Sequence, residues 1–176
     1  MKKWYVDYKD RYVIVPHEIS GEVVPSKELK IKYPKTWEYF NNFYHDLINR
    51  SGGFLKERLS IYKRLPKEKA EQIFPFYSFA TNIGPYTFAP YKVVWKAIAG
   101  AITGKAISFV SAVVEPVNEK VVIPDASLML IPTTNAEEAY YISGVLNSAP
   151  VKLVVASYSY EIGQYTHIVE VIEIPK

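Results

Sequence analysis

Two kinds of hydrophobic pattern follow one another in blocks along this chain, and their order limits the folds that it can adopt. The segment KTWEYFNNFYHDLINR, residues 35–50, places apolar or aromatic side chains at positions i, i+3, i+6, i+7, i+10 and i+11. Such spacing gives a helix one apolar face, so we predict an amphipathic helix over residues 35–50. A second helical pattern, AEEAYYISGVLNSAPVKLVVASY, covers residues 136–158.

The second helical region contains its own start and interruption signals. Thr134 or Asn135 is a suitable N-cap, and acidic side chains occupy the first turn. Pro150 interrupts the pattern because proline removes a backbone donor from a helix interior. We therefore predict two helices joined near residues 147–148.

Short runs of β-branched and aromatic residues lie outside these helical blocks and predict strands. The clearest are ISFVSAVVEPV and KVVIPDASLMLIPT, and strands are also predicted for WYVDY, RYVIVPHEI and the closing HIVEVIEIPK. Loops and short strands are expected over the proline-punctuated residues 75–95, and a turn over residues 97–106. The order of the patterns predicts an α+β fold, with a mixed β-sheet and packed helices, in one domain of residues 1–176.

Composition excludes several classes of protein. The 176 residues are 49% hydrophobic, which suits a packed core, and the chain has no apolar run long enough to span a membrane. It has no cysteine, hence no disulfide or thiolate metal site, and its three histidines, His17, His45 and His167, are far apart in sequence. Two lysines near the N-terminus are not followed by an apolar signal segment. We expect a cytoplasmic protein without a metal site.

Charge is unevenly distributed along the chain. Residues 1–100 hold 17 Lys or Arg against 10 Asp or Glu, whereas residues 101–176 hold 4 against 8. The densest basic run is NRSGGFLKERLSIYKRLPKEK, residues 49–69, which we expect to be part helix and part loop. Basic residues interleaved with tyrosines suit a polyanionic partner. The same run also suits a solvated helix face.

The segment NIGPYTFAPYKVVW, residues 82–95, raises the question of adenine methylation. Adenine-modifying DNA methyltransferases hold the target amine in an Asn-Pro-Pro-Tyr or Asp-Pro-Pro-Tyr loop. Here Gly84-Pro85-Tyr86 and Ala89-Pro90-Tyr91 lack both the polar acceptor and the first proline, and Asn82 is one residue too far from Tyr86. No Gly-x-Gly turn follows a predicted strand. The loop is therefore not a degraded catalytic motif, and we predict no catalytic residues and no bound cofactor in this chain.

One other chemistry has a fragment in the sequence. Metal-dependent nucleases use an acidic residue followed by Glu-x-Lys to hold a metal ion and activate water. Asp10 followed by Glu28-Leu29-Lys30 fits that pattern loosely, although such triplets arise by chance in charged loops. A small metal-dependent nuclease is thus an alternative reading.

The order of several segments resembles a known family over about residues 12–176. The matching pieces are YPKTWEYF, PFYSF, GPYTFAPYKVVWKAIAG, FVSAVV, VVIPDASLMLIPT, EEAYYISGVLNS and THIVEVIEIPK. In this order they resemble the C-terminal target-recognition region of restriction-modification adenine-specific DNA methyltransferases, of the Taq-like class and the larger methylase–nuclease fusions. In that family a catalytic domain lies N-terminal to this region and holds S-adenosylmethionine. The resemblance implies the recognition half without the enzyme half.

The resemblance also implies a role in gripping duplex DNA and reading bases for a methyltransferase or restriction partner. The expected contacts with base edges are Lys92, Lys96 and Asn82, with Tyr86, Tyr91 and Trp95 beside them. The expected phosphate contacts are Lys63, Arg64 and Lys35. A protein-docking module that has lost DNA reading is a further alternative.

Overall fold

The computed structural model describes residues 6, 12–50, 53–78, 82–97, 109–125, 127–158 and 172. By its internal contacts the chain divides into two compact units. One unit is residues 12–85, and the other combines residues 1–11 with residues 86–176. Each unit is described by itself below.

Residues 12–85 form the helical unit. Its helices are α1 (Ser26–Lys32), α2 (Pro34–Asn42), α3 (Tyr44–Asn49), α4 (Gly53–Leu59), the 3-10 helix η1 (Ser60–Lys63) and α5 (Lys67–Ile73). Proline begins α2, where its missing N–H costs nothing and its fixed φ suits a first helical turn. The single helix predicted over residues 35–50 is two helices, because the chain leaves helical hydrogen bonding at Phe43.

Aromatic side chains build the core of this unit. Phe40 stacks on Tyr77 with ring centroids 5.4 Å apart, and both side chains are buried. The Tyr77 hydroxyl donates a 2.6 Å hydrogen bond to the carbonyl of Val24, and burial raises the pKa of Tyr77 to about 12. The remaining buried members of the cluster are Val24, Leu29 and Phe76. Segments distant in sequence thus meet around one aromatic centre.

The second unit contains the sheet and two longer helices. Its strands are β1 (Tyr91–Lys96), β2 (Ser111–Val114) and β3 (Leu128–Thr133), and its helices are α7 (Ala136–Leu146) and α8 (Ala149–Tyr158). The short helix α6 (Pro85–Phe88) precedes β1. The strand order is β2-β1-β3, with β1 antiparallel to both neighbours.

Alternation along β1 separates two apolar faces. Val93 and Trp95 lie in a core cluster with Phe109 and with residues of α7 and α8. Val94 lies in a second cluster with Ala112 and Val114. The side-chain period of two in a strand explains this division, and both faces of β1 are buried as a result.

A buried polar network joins β2 to the end of α7. The side-chain amide of Asn147 donates to the backbone carbonyl of Ser111 at 2.9 Å, and its oxygen accepts from the Ser111 N–H at 3.1 Å. The Ser111 and Ser143 hydroxyls are 3.0 Å apart. These bonds satisfy backbone groups of β2 that would otherwise be buried without partners.

The predicted fold class, α+β, is confirmed. The strand pairs among the described residues are antiparallel, so the parallel pair that a mixed sheet requires does not occur there. Strands within residues 107–117 and 120–133 are confirmed as β2 and β3, although β3 begins only at Leu128. The two helices joined near residues 147–148 are also confirmed, with Asn135 as the N-cap of the first.

Other predictions differ from the structure or lie outside it. The strand predicted at residues 11–19 is wrong over its described part, residues 12–19, which form only a single bridge, between His17 and Val23. Residues 75–95, read as loops and short strands, also include the helix α6. Most of the strands predicted at residues 4–8 and 167–176, and nearly all of the turn at residues 97–106, lie outside the described residues. None of the described helices has the length and apolar character that crossing a membrane requires.

Candidate functional site

A groove of about 1280 Å³ opens on the helical unit. It is bounded by the turn at residues 17–23 and by side chains of α1, α4 and α5. The side chains with chemistry to offer are His17, Glu22, Lys27, Lys30, Arg58, Glu68, Glu71 and Asn82. The groove is a cavity from which a site could be built.

Gly21 allows the turn at one side of the groove to close. The Gly21 N–H donates to the Glu18 carbonyl at 2.9 Å, and φ of Gly21 is +97°, a value that residues with a side chain rarely adopt. A Cβ atom at this position would lie 2.1 Å from the carbonyl oxygen of Ile83. Only glycine fits both the conformation and the space.

The charges that line the groove are of both signs. The lining includes three cations, Lys27, Lys30 and Arg58, and three carboxylates, Glu22, Glu68 and Glu71. A groove of balanced charge does not concentrate anions in the way that a uniformly basic cleft does. Its chemistry therefore depends on individual side chains.

Glu71 is the most unusual of these side chains. Its carboxylate is 8% exposed, and its Oε1 atom is buried without a hydrogen-bond donor among the described residues. Lys67 Nζ lies 3.8 Å from that atom, within ion-pair range but beyond hydrogen-bond length. Burial, and to a smaller extent the charge of Glu71, raises the pKa of both Tyr44 and Tyr62.

His17 at the edge of the groove is half-buried. Burial lowers its pKa below the ordinary value of 6.5, so the imidazole stays neutral at neutral pH. His45 is exposed and packs edge-on against Tyr44, and His167 lies outside the described residues. No group of three or more His, Cys, Asp or Glu side chains that could hold a metal ion occurs in the part of the chain that the structure describes.

The three predicted phosphate contacts all lie on the surface of the helical unit. Lys35 is in α2, Lys63 ends η1, and Arg64 follows it. All three are exposed, and none forms an ion pair with a described residue. By contrast Lys32 in α1 is paired with Glu28 at 2.5 Å.

The predicted base contacts divide between the two units. Asn82 belongs to the helical unit and is exposed with φ of +64°, whereas the other five belong to the unit that contains the sheet. Among those five, Lys96 is exposed, Tyr86 is 39% exposed in α6, and Tyr91 is half-buried at the start of β1. These four side chains have surface from which a ligand could be contacted.

The structure corrects two of the predicted base contacts, Lys92 and Trp95. Both are 0% exposed because β1 is the central strand and is covered on both faces. Trp95 packs 6.2 Å from Phe109 in the core, and Lys92 Nζ donates a 2.6 Å hydrogen bond to the Ala89 carbonyl. Burial lowers the pKa of Lys92 to about 8. Side chains without exposed surface do not reach a base edge.

Glu28 and Lys30, the described residues of the nuclease-like fragment, do not come together as a site. Glu28 and Lys30 lie on helix α1, where residues two apart point to different sides. The Glu28 carboxylate instead pairs with Lys32, one turn further along. Asp10 lies outside the described residues.

Sequence reasoning overlooked Glu71 and the aromatic residues around Lys67. The spacing of Lys67 and Glu71 at i and i+4 was a usable signal for a helical ion pair. Nothing in the sequence, however, brings Trp37 and Phe76 together, since 39 positions separate them and the pair forms only on folding.

Comparisons with known proteins identify no relative. No family model matches the chain, and neither the curated proteins nor the solved structures provide a match.

Proposed function

We propose that this chain is a DNA-binding recognition module that performs no chemistry itself and acts with a methyltransferase or restriction partner. The proposal rests on the order of sequence segments that resembles target-recognition regions. It is supported by one observation above the others, namely that the predicted phosphate contacts Lys35, Lys63 and Arg64 are exposed and have no acidic partner among the described residues.

Unpaired surface cations suit phosphate binding. Lys35, Lys63 and Arg64 are exposed, and they could displace the counterions condensed on DNA phosphates without first breaking an ion pair to a described residue. Residues 12–85 contain 11 Lys or Arg against 8 Asp or Glu, whereas the rest of the chain contains 10 of each. The positive balance of the molecule thus belongs to the unit that carries these three residues.

Base reading, under this proposal, depends on the predicted side chains that have exposed surface. Asn82 and Lys96 offer hydrogen-bonding groups, and Tyr86 and Tyr91 offer partly exposed rings. Amide and ammonium groups match the donor and acceptor pattern of bases in the major groove. Lys92 and Trp95 are buried in the core and do not contact bases under this proposal.

A second candidate function, protein docking, is favoured by exposed apolar side chains. Among the described residues, fifteen large hydrophobic residues are exposed, and ten of them lie in residues 12–85. Tyr39 and Phe43 are among them, with ring centroids 5.1 Å apart on the surface. Exposed aromatic residues are enriched at protein interfaces, so a partner protein could cover this surface.

Selection from a pool of random duplexes separates the two candidates. The full chain is incubated with the pool at low salt, and the retained duplexes are sequenced. We expect enrichment of a short motif. Asn82→Ala and Lys96→Ala should each relax the preference at one position, by about 1–3 kcal/mol of discrimination.

The matched control is Lys32→Ala, which removes one positive charge that is already paired with Glu28. It should leave the selected motif unchanged. Absence of binding at low salt would contradict the DNA-binding proposal and favour protein docking.

A further inference from the structure

Three aromatic rings in the helical unit surround the ammonium group of Lys67. Its Nζ atom lies 4.1 Å from the ring centroid of Tyr44, 5.2 Å from that of Phe76 and 5.8 Å from that of Trp37. Phe76 meets Tyr44 at 76° and Trp37 at 75°, so the rings stand as walls rather than as a stack. We call Trp37, Tyr44 and Phe76 the aromatic cage.

Two oxygen atoms complete the surroundings of the same ammonium group. Asn41 Oδ1 accepts a 2.9 Å hydrogen bond from Lys67 Nζ, and Glu71 Oε1 lies 3.8 Å away. The Glu71 oxygen is buried and accepts no hydrogen bond from a described residue. A buried carboxylate in this state requires a nearby positive charge. The site is therefore built for a cation.

The rings and the Glu71 carboxylate also suit a methylated ammonium, whereas the 2.9 Å hydrogen bond to Asn41 is a contact of the primary ammonium of Lys67. A primary ammonium has three N–H donors, of which Lys67 directs one to a described acceptor, Asn41. A quaternary ammonium has no N–H to satisfy and is attracted by ring faces and by a carboxylate at van der Waals distance. The 3.8 Å separation from Glu71 is a contact of that kind.

Lys67 can leave the cage without unfolding its helix. It is the first residue of α5, and its side chain is 38% exposed. A lysine ammonium on a four-carbon stem moves into water by rotation about side-chain bonds. The Lys67 ammonium thus occupies the cage and can leave it by a change of side-chain conformation.

The cage adjoins open space. Glu71 and Lys30 both line the groove of the helical unit, and Lys30 Nζ lies 4.3 Å from the Trp37 ring centroid. Trp37 and Tyr44 are themselves only partly buried. The groove lining includes none of the three rings, so a ligand would reach them along the path of the partly exposed Lys67 side chain.

We infer that the aromatic cage is a binding site for a methylated ammonium group and that Lys67 is its internal competitor. Such a group could be carried by a small molecule or by a trimethylated lysine side chain. This inference is independent of the proposed DNA binding, since its test contains no DNA.

The test is calorimetric titration of choline into the full chain and into Lys67→Ala. If Lys67 leaves the cage in about one molecule in ten, its removal should tighten choline binding about tenfold. The uncharged analogue 3,3-dimethylbutan-1-ol has the shape of choline without the charge and should bind much more weakly to both proteins. A peptide with trimethyllysine, compared with choline, distinguishes a side-chain ligand from a small molecule.

Two further variants act as controls. Lys69→Ala removes an exposed lysine from the same helix and should leave choline affinity unchanged, whereas Glu71→Gln should weaken it in both the wild-type and Lys67→Ala backgrounds. Should Lys67→Ala not fold, tryptophan fluorescence of the wild-type and Glu71→Gln proteins provides the same comparison. Equal binding of choline and the alcohol, or no saturable choline binding to the folded proteins, would overturn the inference.

Discussion

Lys92 has the environment least expected of a lysine in this chain. Its side chain is fully buried on the central strand, with its ammonium bonded to the Ala89 carbonyl. Burial disfavours the charged form and lowers the pKa to about 8 from 10.5. Such a group destabilises the fold as long as it carries its charge.

The effect of Lys92 on stability should depend on pH. Below about pH 8 both folded and unfolded chains hold the proton, and the full penalty, about 3 kcal/mol for a shift of this size, is present. Between about pH 8 and 10.5 the unfolded chain holds more protons, so stability rises with pH. We expect Lys92→Met to raise the free energy of unfolding by about 1–3 kcal/mol at neutral pH, a gain reduced by the loss of the hydrogen bond to Ala89. At higher pH the gain should be smaller.

Urea unfolding at several pH values below 10 measures this difference. Lys96→Met is the matched control, because Lys96 lies four residues further along the same strand and is exposed. A gain in stability of equal size for both variants, or one that does not change with pH, would contradict the conclusion that burial lowers the pKa of Lys92.

Replacing glycine by alanine should have opposite effects on stability at Gly21 and at Gly144. Gly21→Ala should lower the free energy of unfolding by more than about 1 kcal/mol, because φ is +97° and the new Cβ would clash with the Ile83 carbonyl. A Cβ atom at Gly144 in α7 would have no other atom within 4 Å, so Gly144→Ala should raise the free energy of unfolding by about 0.5–1 kcal/mol. Chemical unfolding of the two variants checks both signs, and a stabilising Gly21→Ala would show that the turn is built differently.

At the scale of elements, the start of α7 shows how local chemistry fixes a boundary. Asn135 has extended backbone, and its Oδ1 atom accepts from the N–H of Glu137 at 2.7 Å. The sequence offered Thr134 as an equal candidate, but Thr134 lies one position outside the helix and makes no cap. Helix α7 then packs its buried residues against β1 and β2, so a well-defined start sets its register on the sheet.

Removal of this cap should have a measurable cost. Asn135→Ala is expected to lower the free energy of unfolding by about 1 kcal/mol, because two N–H groups in the first turn lose their acceptor. Thr134→Ala, at an exposed position without that role, should change it by less than about 0.5 kcal/mol. Thermal or urea unfolding distinguishes them, and equal losses would place the cap elsewhere.

The helix predicted over residues 35–50 illustrates the limits of periodicity. Five of its six apolar positions contribute to the aromatic core, among them Trp37, Phe40 and Tyr44, whereas Phe43 is 45% exposed. The break at Phe43 was not predictable, because neither a proline nor a glycine marks it. Only the packing of α2 and α3 on the same core decides where the helix ends.

At the scale of the whole molecule, charge is arranged by unit rather than by halves of the sequence. The first 100 residues are strongly basic by count, yet residues 12–85 have an excess of only three positive charges and the rest of the chain is neutral. Affinity for a polyanion should therefore be moderate and should depend on a few side chains.

The proposed DNA binding makes a quantitative prediction at this scale. If Lys35, Lys63 and Arg64 each neutralise one phosphate, affinity for random duplex should fall about 40-fold between about 50 and 200 mM salt. Lys63→Ala with Arg64→Ala should reduce the slope of log affinity against log salt by about 1.8, whereas Lys32→Ala should change it little. Binding measured by fluorescence anisotropy gives the slopes, and an unchanged slope in the double variant would remove these residues from the interface.

The sequence by itself determined the fold class, the two helices near the C-terminus and the strands β2 and β3. These features follow from local patterns of apolar side chains, proline and capping residues, which act over a few neighbouring positions. Tertiary structure alone decided that Lys92 and Trp95 are buried, because burial depends on β1 being the central strand of its sheet. It also decided the aromatic cage, since Trp37, Tyr44 and Phe76 meet only when segments far apart in the chain pack together.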